Sequence, residues 1–216
     1  MNKPTTLRRF TLGACALALG LGMLQAHAAD DGALYGPKAP KGSAFVRAYN
    51  ASSAELDVSV GEAQLKQVSP LGSSDFKFLP AGSYQAQVGN AQLPVQLQPE
   101  HYYTLVSQTG AKPRLVEEPA FTSRQKAMLR VQNLSDSTLS LKTADGKTAV
   151  VADVKPDGRG DREINPVKVG LALFEGERKV ADLKPVTLER GEVVSLFVTG
   201  GQGKLSPVWV KRPIDG

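Results

Sequence analysis

Cysteine is nearly absent from this 216-residue chain. The single one, Cys15, lies in an apolar N-terminal stretch, so the remaining chain has no disulfide to staple it and no thiolate to offer. Histidine is almost as scarce, with only His27 and His101. His27 shares the N-terminal region, so any chemistry that needs an imidazole falls to His101 alone. One histidine without cysteine excludes the usual zinc ligand sets. Aromatic residues make up 6% of the chain, fewer than a module that stacks sugar rings usually carries. Beyond the N-terminus no apolar run approaches the ~20 residues that a membrane-spanning helix needs. No stretch of about 12 residues keeps a helical period either.

The N-terminus reads as a removable address. Lys3, Arg8 and Arg9 precede an apolar run from Phe10 to Leu24, and Ala26-His27-Ala28 has the small-x-small form of a signal-peptidase site. We read residues 1–28 as a signal peptide cleaved after Ala28, which predicts export across the inner membrane to the periplasm. Leu12-Gly13-Ala14-Cys15 imitates a lipoprotein box, but the apolar run continues past the cysteine instead of preceding it. Arg8-Arg9 leaves the choice between Sec and Tat export open.

Charge is modest once this segment is set aside. The full chain carries a net +5, and residues 1–28 contribute three bases and no acid. Residues 29–120 hold 7 bases and 9 acids, and residues 121–216 hold 16 and 12. The second half is the one suited to face a polyanion, if either is. A nucleic-acid partner is not expected of an exported protein.

What the chain does contain, it contains twice. Phe45-Val46-Arg47-Ala48-Tyr49-Asn50-Ala51-Ser52 returns 83 residues later as Met128-Leu129-Arg130-Val131-Gln132-Asn133-Leu134-Ser135. His101-Tyr102-Tyr103-Thr104-Leu105-Val106 returns 91 residues later as Glu192-Val193-Val194-Ser195-Leu196-Phe197. Copies of roughly 75–90 residues are domains, not solenoid units. Within each copy apolar residues alternate with polar ones, as at Leu56, Val58 and Val60, or Tyr84, Ala86 and Val88. That period of two marks half-buried strands. Gly89-Asn90 and Asp145-Gly146 are turn dipeptides, and Pro94 predicts an edge strand. Val167 to Leu173 reads as one continuous strand. The expected fold is all-β: two tandem antiparallel β-sandwich domains, 44–118 and 127–216, joined by a linker at 119–126 short enough for the domains to touch. A Gly/Pro-rich N-terminal lead-in, 29–43, precedes the first.

Candidate chemistry is thin. His101 begins a strand and aligns with Glu192, which is the profile of a surface histidine. Gly72-Ser73-Ser74-Asp75 sets serine beside acid without the strand-to-helix elbow that exposes a nucleophile, so turn chemistry is expected. Asp153, Asp157 and Asp161 lack EF-hand spacing and are interrupted by bases. Asn50-Ala51-Ser52 and Asn133-Leu134-Ser135 spell glycosylation sites but fit Asx turns closing the first strand of each domain. Arg159-Gly160-Asp161 spells an adhesion tripeptide by accident. Trp209 either completes the core or stacks on a sugar or partner. We therefore expect no catalytic residue, no metal and no cofactor. For partner binding the candidates are Leu34, Tyr35 and Pro37, oddly apolar for a lead-in, and Arg159 and Arg162, read as part of a charge-dense loop.

Several longer strings carry a resemblance. Ala33-Leu34-Tyr35-Gly36-Pro37, Pro40-Lys41-Gly42-Ser43, Phe45-Val46-Arg47 and Asn50 resemble the AlgF family of alginate O-acetylation proteins. So do Pro70-Leu71-Gly72-Ser73-Ser74-Asp75-Phe76, His101 to Val106, Val131-Gln132-Asn133-Leu134-Ser135, Leu141 to Lys147 and Asn165-Pro166-Val167. The resemblance runs the length of the chain after residue 28. It implies a non-catalytic periplasmic adaptor required to acetylate the exopolysaccharide alginate. The implied partners are periplasmic O-acetyltransferases of the SGNH type, with the membrane acyltransferase as a further contact and alginate as a weak one. Two other classes stay open beside it: an alginate-binding module, and an acetyl carrier or acetyltransferase.

Overall fold

The computed structural model describes residues 39–201 and 203–212. The signal segment, its cleavage site after Ala28, and Leu34, Tyr35 and Pro37 lie outside the described residues. Among those residues there is no helix. The first lobe contains β1 (Ser43–Ala51), β2 (Leu56–Val60), β3 (Ala63–Val68), β4 (Gly72–Ser73), β5 (Lys77–Pro80), β6 (Gly82–Val88), β7 (Ala91–Leu97), β8 (Tyr102–Gln108) and β9 (Arg114–Glu118). The second contains β10 (Ala127–Asn133), β11 (Leu139–Thr143), β12 (Ala149–Val154), β13 (Arg159–Ile164), β14 (Val167–Val169), β15 (Leu171–Glu175), β16 (Arg178–Asp182), β17 (Val186–Leu188), β18 (Val193–Gly201) and β19 (Lys204–Arg212).

Each lobe is a sandwich of two sheets. In the first, β3-β2-β6-β7 faces a five-stranded sheet in which β4 and β5 pair with β1, and β1-β8-β9 follow in order. In the second, β12-β11-β15-β16 faces β13-β10-β18-β19. Pro94 sits on β7, which pairs with β6 alone, so its missing N–H costs no ladder bond. Gly89 closes the β6–β7 hairpin at φ +55°, a conformation that side chains resist.

Three details depart from the sequence reading. First, not every pairing is antiparallel: β1 runs parallel to β8, and β10 parallel to β18. A parallel pair needs a long crossover, and here the strands of the opposite sheet supply it. Second, Val167 to Leu173 is not one strand. It breaks at Gly170, leaving β14 to pair with β17 in a separate ribbon while β15 joins the sandwich. Third, Arg159 and Arg162 belong to a strand. β13 is the edge of its sheet, and edge strands carry charge without loss of pairing. Gly160 allows this close approach: a Cβ there would stand 2.3 Å from Val151 Cγ1.

Period-two alternation fails where it matters most. In β1, Ala44, Val46 and Ala48 face the first lobe's own core, while Arg47 and Tyr49 on the opposite face are buried too. β10 and β18 are buried on both faces in the same way. The reason is a third apolar cluster. Tyr49 and Val106 of the first lobe meet Leu134, Phe197 and Val210 of the second, and the Tyr49 and Phe197 rings stack at 4.6 Å. The inner sheets therefore pack on one another, giving four layers with two outer sheets and a lobe–lobe seam at the middle.

Candidate functional site

Each residue that sequence reasoning singled out for chemistry has a structural engagement. His101 precedes β8, half-exposed, with Nδ1 2.8 Å from Glu117 Oε1. Ser74 Oγ accepts the Ala48 N–H at 3.0 Å and donates to the Asp75 carbonyl at 2.9 Å, and Ser73 donates to the Ser74 carbonyl. This is the expected turn chemistry. Asp153, Asp157 and Asp161 do not converge. Their partners are Ser140, Arg114 and Arg130, and no metal-type cluster occurs among the described residues. Trp209 packs partly buried against the second core and donates its indole N–H to the Lys184 carbonyl at 3.1 Å.

The two Asn-x-Ser strings form Asx turns, as their spacing predicts. Asn50 Oδ1 accepts the Ser52 N–H at 3.0 Å, and Asn133 Oδ1 accepts that of Ser135 at 3.1 Å. Both asparagines are fully buried, and both use their amide as a clasp. Asn50 donates to the carbonyls of Ala54 and Val68, and Asn133 to those of Ser137 and Val154. Each clasp ends on a matching turn, Ser69-Pro70-Leu71-Gly72 or Lys155-Pro156-Asp157-Gly158, closed by an N–H to carbonyl bond at 3.0 and 2.9 Å. Leu71 and Asp157 take φ of +54° and +58°, as the third position of such a turn requires.

The densest polar geometry lies in the seam. Glu118, the last residue of β9, is fully buried. Its Oε1 accepts Arg47 Nη2 at 2.6 Å and the Thr104 hydroxyl, which itself accepts Arg47 Nε at 2.9 Å. Its Oε2 accepts the Ser195 hydroxyl at 3.0 Å and faces Arg130 Nη1 at 3.7 Å. Arg47 and Arg130 are repeat-equivalents, and so are Thr104 and Ser195. One carboxylate thus serves the same arginine-plus-hydroxyl pair from both lobes. The grip is unequal. Arg130 Nη1 makes no hydrogen bond among the described residues, and Arg130 instead forks onto Asp161 at 2.8 and 3.0 Å. Arg47 pairs with no second acid among the described residues; its guanidinium lies over Phe76 at 4.6 Å and Phe197 at 5.7 Å.

The electrostatics follow. Burial alone would raise the Glu118 pKa, but the Arg47 charge, the Thr104 and Arg47 hydrogen bonds and the Arg130 charge outweigh it. The carboxyl is held below its ordinary value and stays ionised. Burial pushes the Tyr49 phenol up to about 12, offset only in part by Thr199. The cluster resembles acyl-transfer machinery only in its list of residue types. Ser195 is 1% exposed, and its hydroxyl donates to Glu118 at 3.0 Å.

Charged contacts fringe the seam. Arg114 of the first lobe pairs with Asp157 of the second, and Arg159 Nη1 donates to the Glu117 carbonyl at 3.2 Å. Arg212 stacks over Tyr102 at 4.2 Å. The tripeptide Arg159-Gly160-Asp161 is thereby a seam element, with its two charges on one face of β13. Arg159 and Arg162, paired in register with Gln132 and Leu129, stand on opposite faces, so they do not form a joint basic site. Arg162 is exposed.

The family described as "Alginate O-acetyl transferase AlgF" matches residues 16–195. The chain belongs to that family. It is 68% identical over 214 residues to the alginate biosynthesis protein AlgF of Pseudomonas aeruginosa, covering 99% of both chains. To the alginate biosynthesis protein AlgF of Azotobacter vinelandii it is 65% identical, over 92% of this chain and 94% of that one. Among solved structures it is similar to the C-terminal domain of AlgF from P. aeruginosa, with 75% identity over 41% of this chain and 99% of that one and a TM-score of 0.38. The N-terminal domain of the same protein matches at 65% identity over 38% and 100%, with a TM-score of 0.35.

Sequence reasoning missed the seam of this AlgF-family chain, although half of its signal was visible. The repeat itself placed an arginine at 47 and 130 and a hydroxyl at 104 and 195. Matching polar residues in strands otherwise rich in valine and leucine point to a shared buried face. Nothing in the sequence tied Glu118 to them.

Proposed function

We propose that this protein is a non-catalytic periplasmic adaptor required for O-acetylation of alginate, bridging the periplasmic acetylation enzymes. Family membership supports the pathway. The observation that carries the non-catalytic reading is the fate of the acyl-transfer residue types: Ser195 and Thr104 are sealed on Glu118, and Ser73 and Ser74 are spent in a turn. His101 is engaged by Glu117 at 2.8 Å. The small-x-small site at Ala26-His27-Ala28 supports periplasmic residence.

The partners in this reading are SGNH-type O-acetyltransferases, with the membrane acyltransferase as a further contact. Arg162 is the better partner-facing candidate of the two arginines, because Arg159 is engaged across the seam. Titrating the purified protein separately with the periplasmic acetyltransferases and with mannuronate oligomers tests the proposal. Saturable binding to an acetyltransferase is expected. Binding to oligomers alone would favour the alginate-module reading, and transfer of acetyl to or from this chain would defeat the non-catalytic one.

A further inference from the structure

We infer that the two lobes act as one rigid body locked by Glu118, and that the protein is a single scaffold, not two modules on a tether. Three independent observations carry this. The seam contains an apolar cluster in which Tyr49, Val106, Phe197 and Val210 are each less than a tenth exposed. A tethered pair would leave those side chains in water. Beside the cluster two buried arginines from different lobes address one buried carboxylate, and separating the lobes would break the Ser195 hydrogen bond to Glu118 and the approach of Arg130 to it. At the rim, the Arg114–Asp157 pair, the Arg159 bond to the Glu117 carbonyl and the Arg212–Tyr102 stack fix the rotation of one lobe on the other. Glu118 is the lock because, among the described residues, its carboxylate bonds both lobes: Oε1 belongs to lobe one's pair and Oε2 to lobe two's.

The consequence deepens the adaptor reading and rests on it: partners seated on different lobes are held at one fixed spacing and orientation. A flexible bridge gives only proximity. A rigid one sets geometry, which is what passing a group between two enzymes requires.

The test uses the full chain with a protease site introduced at 122–125, cut after folding. The nicked wild-type protein is expected to remain one species in sedimentation at micromolar concentration; halves that separate there overturn the rigid body. The same nicked chain carrying Glu118→Ala is expected to associate at least ~100-fold more weakly, as loss of one partner of a buried ion pair implies. Sodium formate, which restores a carboxylate to the emptied cradle, should recover association where sodium chloride at equal ionic strength does not. Undiminished association of the alanine variant, or no difference between formate and chloride, overturns the lock. If Glu118→Ala does not fold, nicked Glu118→Gln decides, since it keeps the shape and loses only the charge. It should associate more weakly than wild type, and equal association counts against the proposal. A wild-type chain that stays together but binds no acetyltransferase keeps the lock and sinks the adaptor.

Discussion

The two lobes share their inner architecture and differ in what they show outward. Both have the buried asparagine clasp, the x-Pro-x-Gly turn, the seam arginine and the parallel central pair. Both also bulge at one place in the third strand. Gln67 and Asp153 take φ of +55° and +50°, and their N–H groups are held by Asp57 and by Ser140. The outer sheets diverge. Across the first runs an uncharged row, Gln64, Ser59, Gln87 and Gln92, each the register partner of the next. On the second, Ala149, Lys142, Ala172 and Asp182 form the corresponding row, with Lys142 5.0 Å over the Phe174 ring. One more position separates the lobes. Glu118 pairs with Tyr102 in register, and its repeat-equivalent Arg212 pairs with Val193. Equivalent sites at the ends of the inner sheets thus carry opposite charge. What is common to the lobes builds the sandwich and the seam; what differs makes each lobe the other's complement.

The comparison breaks most severely at Glu118. Glu118→Ala should destabilise the chain by about 3–5 kcal/mol in urea unfolding, because Arg47 is left buried without a counter-ion. Arg47→Ala should cost more than Arg130→Ala, since Asp161 retains solvent when Arg130 is lost and Glu118 retains Arg47. Equal costs would mean that the unequal grip has no energetic meaning.

Next in size are the clasps. Asn50→Ala or Asn133→Ala leaves two backbone carbonyls and a serine amide without their partner, at about 2–4 kcal/mol each. The two losses should be similar, because the clasps have the same bonds to within 0.1 Å. A cost below ~1 kcal/mol in one lobe alone would show that the repeat is geometric and not energetic there.

Acid should sharpen the contrast between seam and surface. Glu118 has a folded pKa below its ordinary value of 4.5, so its stabilising contribution is complete above 4.5 and is lost as pH falls through the depressed folded value. Thermal melts from pH 7 downward should therefore show a drop below pH 4.5 that is smaller in Glu118→Gln. An identical acid profile in the variant would remove Glu118 from the account.

The smallest effects belong to the surface. Arg162→Glu should weaken acetyltransferase binding with less than ~0.5 kcal/mol change in stability. His101→Ala should leave both stability and alginate acetylation in cells nearly unchanged, as its contact with Glu117 is half-exposed. A general base would instead cost ~10²–10⁴-fold in rate.

Much of this was legible in the residues. The duplicated strings gave two all-β units, Gly89-Asn90 and Pro94 placed a hairpin and an edge, and Asn-x-Ser announced the Asx turns. The rest was hidden for physical reasons. Periodicity reports one buried face, and strands buried on both faces show no clean alternation, so nothing in the pattern marked Arg47 and Arg130 as buried. β13 looked like a loop because an edge strand tolerates charge. Gly170 looked like one residue of a strand because only three-dimensional pairing reveals that β14 and β15 part there. Glu118 lies 71 residues from Arg47, and no local pattern connects a linker-side acid to a partner that distant.

The most direct measurement is backbone ¹⁵N relaxation on the intact protein, read separately for residues of the two lobes. One body predicts a single rotational correlation time, equal for both lobes and appropriate to their combined mass. Two distinct and shorter times, each fitting a lobe alone, would contradict the locked seam.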